Sequence, residues 1–476
     1  MIDFLRKNYP IVILACVFSF AIVFSLSSLT TKPDLWFDEA LNIEVAHNFL
    51  LFQKLNILIA PGVFAEYPYM VSSSGYVLTV PLAGFFKIFG FGLVQARIFM
   101  LLWLFFAIFT IYFVAKSIFG NPPAILAVLF IVTFSPFYAN GLTVMGDIPG
   151  FIFLLWGIFF LIKKENFLLN GLFFGLAAAT KPSIYLLLLP AFLAYILILK
   201  KDIINRLTAF ILGSIAPILL YSFIVIPRAF SSMGEWFGAL KYYQNPYGQS
   251  VSLWGNVYKN LYGIIFSPTL IYFIVLIAVI AISFWYGKKY FSETQKKAVL
   301  IFSLYGFLVF LYFLRSPGWL RYLLPFELLV FIFVYPALSA IFKKLQLFAC
   351  VLLILVQIFQ LFFISDMRYF KRPRSATIRY QETALFINNN YPGASVGLFD
   401  LPEIAAFIAS DKKYHVIEDV AFVGENSLSL PAGLLPTLIV FRDGEGYLMV
   451  SSRRDVLEKN YFFVKTIGVY KIFHRL

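Results

Sequence analysis

Apolar runs long enough to cross a lipid bilayer, roughly 17–25 residues each, dominate what this chain can fold into. They recur from residue 10 to residue 365. In lipid, each backbone N–H and C=O must be paired within the protein, so runs of this length fold as helices. A mean hydropathy of +0.85 over 476 residues excludes an ordinary soluble globular protein. Phenylalanine, at 58 residues, suits lipid-facing surfaces and interface belts.

Eleven spans are predicted, at about 10–29, 94–115, 122–138, 148–162, 167–180, 183–199, 207–227, 262–286, 298–314, 319–341 and 346–365. The segment 76–90 is also apolar, but it is short and carries Pro81 and Gly84. Counted as a span it gives twelve. Loop charge separates the two counts. With Arg6 and Lys7 in the cytoplasm and 76–90 interfacial or re-entrant, every inner loop is basic. These loops hold Lys116; Lys163 and Lys164; Lys200, Lys201 and Arg206; Lys288, Lys289, Lys296 and Lys297; Lys343 and Lys344. If 76–90 crosses, the later clusters move outside. Eleven spans, an inside N-terminus and an outside C-terminus follow. The first apolar segment lacks a small-residue cleavage site and reads as a retained anchor.

The same bias explains much of the net charge of +14, so nucleic acid is not an expected partner; membrane lipids are. Cys16 and Cys350 lie inside predicted spans and make no disulfide or metal-ligand pattern. His47, His415 and His474 are scattered. No phosphate-cradling glycine loop or nucleophile elbow is present. A nucleotide-driven pump and a serine hydrolase are thereby disfavoured.

Three regions are expected outside: the long first loop 30–93, the Tyr/Trp/Asn/Gly-rich loop 228–261, and the tail from 366. The chain divides into a transmembrane domain, 1–365, and a small extracytoplasmic α/β domain, 366–476. In the tail, strand-like runs 395–400, 414–419 and 437–442 alternate with a helical run 402–410, and a strand pair closes it near 461–473. The basic run Arg368, Lys371, Arg372, Arg374 and Arg379 is placed against headgroups or under this domain.

The residues that attract a chemical reading sit on the outer face. Asp38 and Glu39 fall one turn into a helix expected over about 35–52, capped by Asp34 after Pro33. Acids there also favour the helix dipole, which is the plain structural account. The chemical account makes one of them a general base and its neighbour an orienting group or cation ligand. Asn42 shares the face of Asp38. Asp147, in Met145-Gly146-Asp147-Ile148-Pro149, opens a span from the same side, where a helix-start acid is also ordinary. Lys181, in Thr180-Lys181-Pro182, is an outer lysine against the charge rule. It either snorkels to headgroups or binds an anion. Arg321, followed by Tyr322, opens the tenth span and offers a planar fork suited to phosphate, or an interface anchor. Arg97 and Arg315 are of the same kind. Glu66 and Tyr67 add an acceptor or donor pocket.

Taken in order and on one side of the membrane, these positions resemble the GT-C superfamily of polytopic glycosyltransferases. The nearest likeness is to protein O-mannosyltransferases and the aminoarabinose transferases of lipid A. The matching pieces are Asp38-Glu39-Ala40, the Arg97 region, Phe119-Gly120, Asp147 with Pro149, Lys181-Pro182 and Arg321-Tyr322-Leu323-Leu324-Pro325. The resemblance implies an α-helical polytopic membrane protein that moves a sugar from a polyprenyl-phosphate carrier to an extracytoplasmic acceptor, with inversion. The acceptor is a protein, lipid or glycan. By resemblance, Asp38 is the base, Glu39 and Asp147 shape the acceptor site or hold a divalent cation, and Arg321 with Lys181 and Arg97 grips the carrier phosphate. Asn42, Glu66, Tyr67 and Tyr322 line the pocket. The first motif is Asp-Glu, not the Asp-x-Asp of metal-dependent oligosaccharyltransferases, so the metal is left undefined. The competing readings are a transporter or flippase for a lipid-linked substrate, and a ligase-like transferase of the O-antigen type. The spans show no inverted repeat and few acids, which counts against transport. A long outer loop late in the chain, rather than early, would favour the ligase.

Overall fold

The computed structural model of the chain describes residues 2–27, 29–60, 62–64, 74–200, 202–225, 253–316, 320–342, 344–362, 375–399, 401–409, 414–417, 435–443 and 458–476. The polypeptide opens with α1 (Ile2–Leu26) and α2 (Phe37–Phe52), then a short hairpin of β1 (Leu58–Ala60) and β2 (Val63–Phe64). Helices α3 (Tyr76–Phe89) and α4 (Leu93–Phe119) follow, then α5 (Asn121–Val132), α6 (Ser135–Gly141), α7 (Asp147–Lys163) and α8 (Phe167–Thr180). The bundle continues with α9 (Pro182–Tyr185), α10 (Leu188–Leu199), α11 (Ile203–Val225), α12 (Leu253–Ile265) and α13 (Pro268–Gly287). Helices α14 (Glu293–Arg315), α15 (Leu324–Ile341) and α16 (Gln346–Phe362) complete it.

Among the described residues, six helices are long and apolar enough to cross a membrane: 93–119, 182–199, 203–224, 270–287, 293–315 and 320–341. Counting the bent pair α5–α6 as one makes seven. The remaining predicted spans correspond to shorter helices, including Pro10–Leu26, Phe167–Thr180 and Gln346–Phe362. Helix α3 has 14 residues, about 21 Å of helix against roughly 30 Å of hydrocarbon. The predicted span 167–180 is a helix of the same length, so length alone does not set α3 apart from the spans.

Two expectations need correction. The run 122–138, read as one span, is broken: α5 and α6 meet at 67°. Pro136 in the first turn of α6 explains the break, since proline is accepted at a helix start and not within one. The helix read over 35–52 begins at Phe37, with Trp36 as an extended N-cap that makes no side-chain cap bond. Asp34 is too far upstream to cap it. Its Oδ1 accepts instead from the Thr377 hydroxyl at 3.3 Å.

In the tail, α17 (Ser375–Asn390) precedes β3 (Val396–Phe399), α18 (Pro402–Ala405), β4 (Tyr414–Ile417), β5 (Leu438–Arg442), β6 (Tyr461–Ile467) and β7 (Tyr470–Arg475). The five strands form one mixed sheet in the order β4-β3-β5-β7-β6. Strand β3 runs parallel to both β4 and β5, while β7 is antiparallel to β5 and β6. The expected strands are present. The helical run read over 402–410 is only the four-residue α18, and α17 was not anticipated. The loop 228–252 and the basic residues Arg368, Lys371, Arg372 and Arg374 lie outside the described residues.

Helix α2 ties the two parts together. Its Ala40, Ile43 and Ala46 pack on Leu78 and Leu82 of α3 and on Ala96 and Met100 of α4. Its Leu41 and Val45 pack into the tail core, with Ala384, Ile387, Val396, Leu438 and Ile472. Spacings of three and four residues put these sets on two faces of one helix.

Candidate active site

Asp38 and Glu39 are successive residues in the first turn of α2, so their side chains diverge by about 100° around the helix. Glu39 turns toward α4. Its two carboxylate oxygens accept from Arg97 Nε at 3.0 Å and Nη2 at 2.8 Å. Arg97 Nη1 donates to the Leu29 carbonyl at 2.8 Å. Both side chains are fully buried. Burial pushes the Glu39 carboxyl above its usual range, and the Arg97 charge opposes this.

Asp38 turns the other way. Its Oδ2 lies 3.0 Å from Arg321 Nη2, and at 13% exposure it is the more open partner. The guanidinium stacks over Trp36 at 4.4 Å and stands 5.7 Å from the Tyr322 ring. Stacking of this kind suits the flat guanidinium. Trp36 was not singled out from sequence, although it lies two residues before Asp38.

Asp147 begins α7 and pairs with Lys181, Nζ to Oδ2 at 2.8 Å, both buried. The Tyr185 hydroxyl donates to the Asp147 carbonyl. The second carboxylate oxygen of Asp147 is buried with no hydrogen-bond partner among the described residues. Burial lowers the Lys181 ammonium pKa. Asp147 opposes the shift, Arg321 adds to it, and Asp38 weakly opposes it. Four charges thus act on one another: Asp38, Asp147, Lys181 and Arg321.

Backbone contacts bring these segments together. The Gly75 N–H donates to the Thr180 carbonyl at 2.9 Å. A Cβ on Gly75 would fall 1.8 Å from the Ala179 carbonyl oxygen, and one on Gly146 would fall 2.5 Å from that of Thr180. Only glycine permits either approach. Ser74 Oγ accepts from the Gly146 N–H at 3.1 Å and from Asn42 Nδ2 at 3.2 Å. Asn42 also donates to the Val144 carbonyl at 2.7 Å. Asn42, expected in the pocket wall, thus links α2 to the turn before α7 through its Nδ2. Ser74 carried no sequence signal.

Glu66 and Tyr67 lie outside the described residues. Arg315 is exposed at the end of α14, and Tyr322 is buried beside Arg321. Among the described residues no three metal-ligating side chains converge. Asp38, Glu39 and Asp147 each face a basic partner, Arg321, Arg97 and Lys181 respectively.

Residues 76–227 match the family model of dolichyl-phosphate-mannose-protein mannosyltransferases. No curated protein sequence matches the chain. The fold is that of the GT-C membrane glycosyltransferases, the class that the sequence resembles. ArnT from Cupriavidus metallidurans bound to undecaprenyl phosphate superposes with a TM-score of 0.62 at 12% identity, covering 97% of this chain and 98% of that one. The Archaeoglobus fulgidus oligosaccharyltransferase in complex with zinc and sulfate gives 0.56 at 14% identity, covering 96% and 72%. The mycobacterial arabinofuranosyltransferase AftD gives 0.53 at 14% identity, covering 97% and 40%.

Proposed function

We propose that this chain is an integral membrane glycosyltransferase that moves a sugar from a polyprenyl-phosphate donor to an acceptor outside the cytoplasm, with inversion. The observation that carries the reading is the Asp38–Arg321 pair, whose Asp38 keeps slight solvent exposure, beside the buried Asp147–Lys181 pair. An acid within reach of solvent thus sits next to cations suited to an anionic leaving group. The likeness of the fold to a protein that binds undecaprenyl phosphate supports it.

In this reading Asp38 takes the acceptor hydroxyl proton as the oxygen attacks the anomeric carbon. The bond from that carbon to the phosphate oxygen breaks, and the carrier phosphate leaves with the electron pair. Arg321 swings from Asp38 to the phosphate, and Lys181 adds a second cation. Glu39 and Arg97 spend their hydrogen-bonding groups on each other and on Leu29, so we assign them to holding α2 against α4. No step is routed through a metal.

The test is transfer by the full chain in liposomes supplied with a panel of undecaprenyl-phosphate-linked sugars. One of them should be consumed, releasing undecaprenyl phosphate. Flipping without cleavage of the sugar–phosphate bond would turn the reading to transport. The site is placed outside by loop charge: a reporter after residue 366 should be extracytoplasmic, and one at Lys116 or Lys289 cytoplasmic. A cytoplasmic tail would overturn this placement.

A further inference from the structure

A cavity of about 440 Å³ lies among Phe119, Pro122, Phe291, Tyr335, Pro336 and Ser339. It is far from the acids. Helix α4 starts near Arg97 and ends at Phe119 after 27 residues, about 40 Å of helix. Arg321 stands just before α15, and Tyr335 to Ser339 lie in the closing turns of that helix. Both helices therefore begin at the candidate active site and end at this cavity. Lys116 and Lys289 beside it belong to loops that the charge rule assigns to the cytoplasmic face, so the cavity lies at the membrane face opposite the candidate active site.

Its lining is mostly aromatic and proline, with Gln295 and Ser339 as polar members, and two lysines stand close in the chain to wall residues, Lys116 to Phe119 and Lys289 to Tyr290. Lys116 Nζ sits 5.5 Å from the Tyr112 ring centroid. The Tyr112 hydroxyl donates to Asn121 at 3.2 Å, beside Pro122 of the wall. Lys289 Nζ sits 5.2 Å from the ring of Tyr290, another wall residue. Both lysines are exposed, and neither makes an ion pair among the described residues. The acids nearby in sequence are already paired, Glu293 with Lys296 and Glu165 with Lys297. Gln295 is spent on the Ser292 N–H and the Ile118 carbonyl. The Tyr335 hydroxyl makes no hydrogen bond among the described residues.

We propose that this cavity binds one anionic glycerophospholipid of the leaflet opposite the active site. The headgroup phosphate lies between Lys116 and Lys289, and the upper acyl chain lies in the aromatic cleft. Cavities of this size hold small ligands, and basic pockets between membrane helices suit anionic headgroups. A soluble anion would gain the two lysines but leave the aromatic lining empty. The bound lipid pins the ends of α4, α5 and α15 together, away from the chemistry.

The test uses the full chain in nanodiscs of phosphatidylcholine with a minor share of phosphatidylglycerol, released into native mass spectrometry. The wild type should retain one phosphatidylglycerol per chain. Ser339→Trp, which fills the cleft, should retain none. The double variant Lys116→Gln/Lys289→Gln should retain it about thirty-fold more weakly. Equal retention by all three proteins, or phosphatidylcholine held as well as phosphatidylglycerol, overturns the proposal. The lysine variant changes only exposed side chains, so it decides the matter should Ser339→Trp fail to insert. None of these readings depends on sugar transfer.

Discussion

Arg321 Nη2 stands 3.0 Å from Asp38 Oδ2, although 283 residues separate them in the chain. Asp38 sits on the first-loop helix, and Arg321 on the turn that opens a late span. The contact forms only when the bundle has brought the two ends of the membrane domain together. It is also the most open of the three acid–base pairs built on the site's carboxylates, since the other two are buried on both sides.

Asp38→Asn keeps the shape and removes the charge. As a helix-start acid, Asp38 would be worth less than about 1 kcal/mol. As a base it is worth about 100- to 10,000-fold in rate. The expected result is a folded, donor-binding protein whose transfer rate falls by that factor. Activity within a few-fold of the parent would remove Asp38 from the role and make Asp147 the next acid to test.

Arg321→Lys keeps a cation but loses both the fork and the stack on Trp36. Donor use should weaken in this variant and fall further in Arg321→Ala, measured as kcat/KM for the lipid-linked sugar. Unchanged turnover by the alanine variant would leave Arg321 an interface anchor.

Glu39→Gln and Arg97→Ala each strand a buried partner. Breaking such a pair costs about 3–5 kcal/mol, whereas replacing both members by apolar residues is often near neutral. Thermal unfolding in detergent should drop sharply for the single variants and much less for Glu39→Met/Arg97→Met. A Glu39→Gln protein of parental stability that has lost transfer would return Glu39 to the chemistry.

His47 is buried on α2, its ring stacked on Phe91 with centroids 3.9 Å apart. Burial lowers its pKa to about 4 from an ordinary 6.5. The unfolded chain therefore takes up this proton first. Stability from neutral His47 is complete above about pH 6.5, falls as the pH drops toward 4, and levels off below that. The loss is at most about 3 kcal/mol. His47→Phe should flatten that part of the stability profile; an unaltered slope would mean that other groups set it.

What could be read from the sequence was composition and position; what could not was pairing. Runs of Leu, Ile and Phe reveal helices because lipid leaves the backbone no other partner. The acids and outer cations stand out because they interrupt those runs. Nothing in the order of residues says that Glu39 meets Arg97 while its neighbour Asp38 meets Arg321. That depends on how helices pack side by side. The bend between α5 and α6 was hidden because Pro136 sits inside an apolar run long enough for one span. Helix α17 was missed because its sequence, Ser-Ala-Thr-Ile-Arg-Tyr onward, is polar and β-branched. Its helicity comes from Ala384 and Ile387 packing on the sheet.

The Leu35 N–H and the Asp34 carboxylate both meet the hydroxyl of Thr377, some 342 and 343 residues later. Ribosomes add about 5–20 residues each second, so the first loop waits roughly 20–70 s for its cover. Through that interval Leu41 and Val45 of α2 have no partner to bury them. The face of α2 that carries Leu41 and Val45 is thus made early and covered last. An interrupted chain therefore presents the uncovered apolar face of α2 to the cell's quality-control machinery.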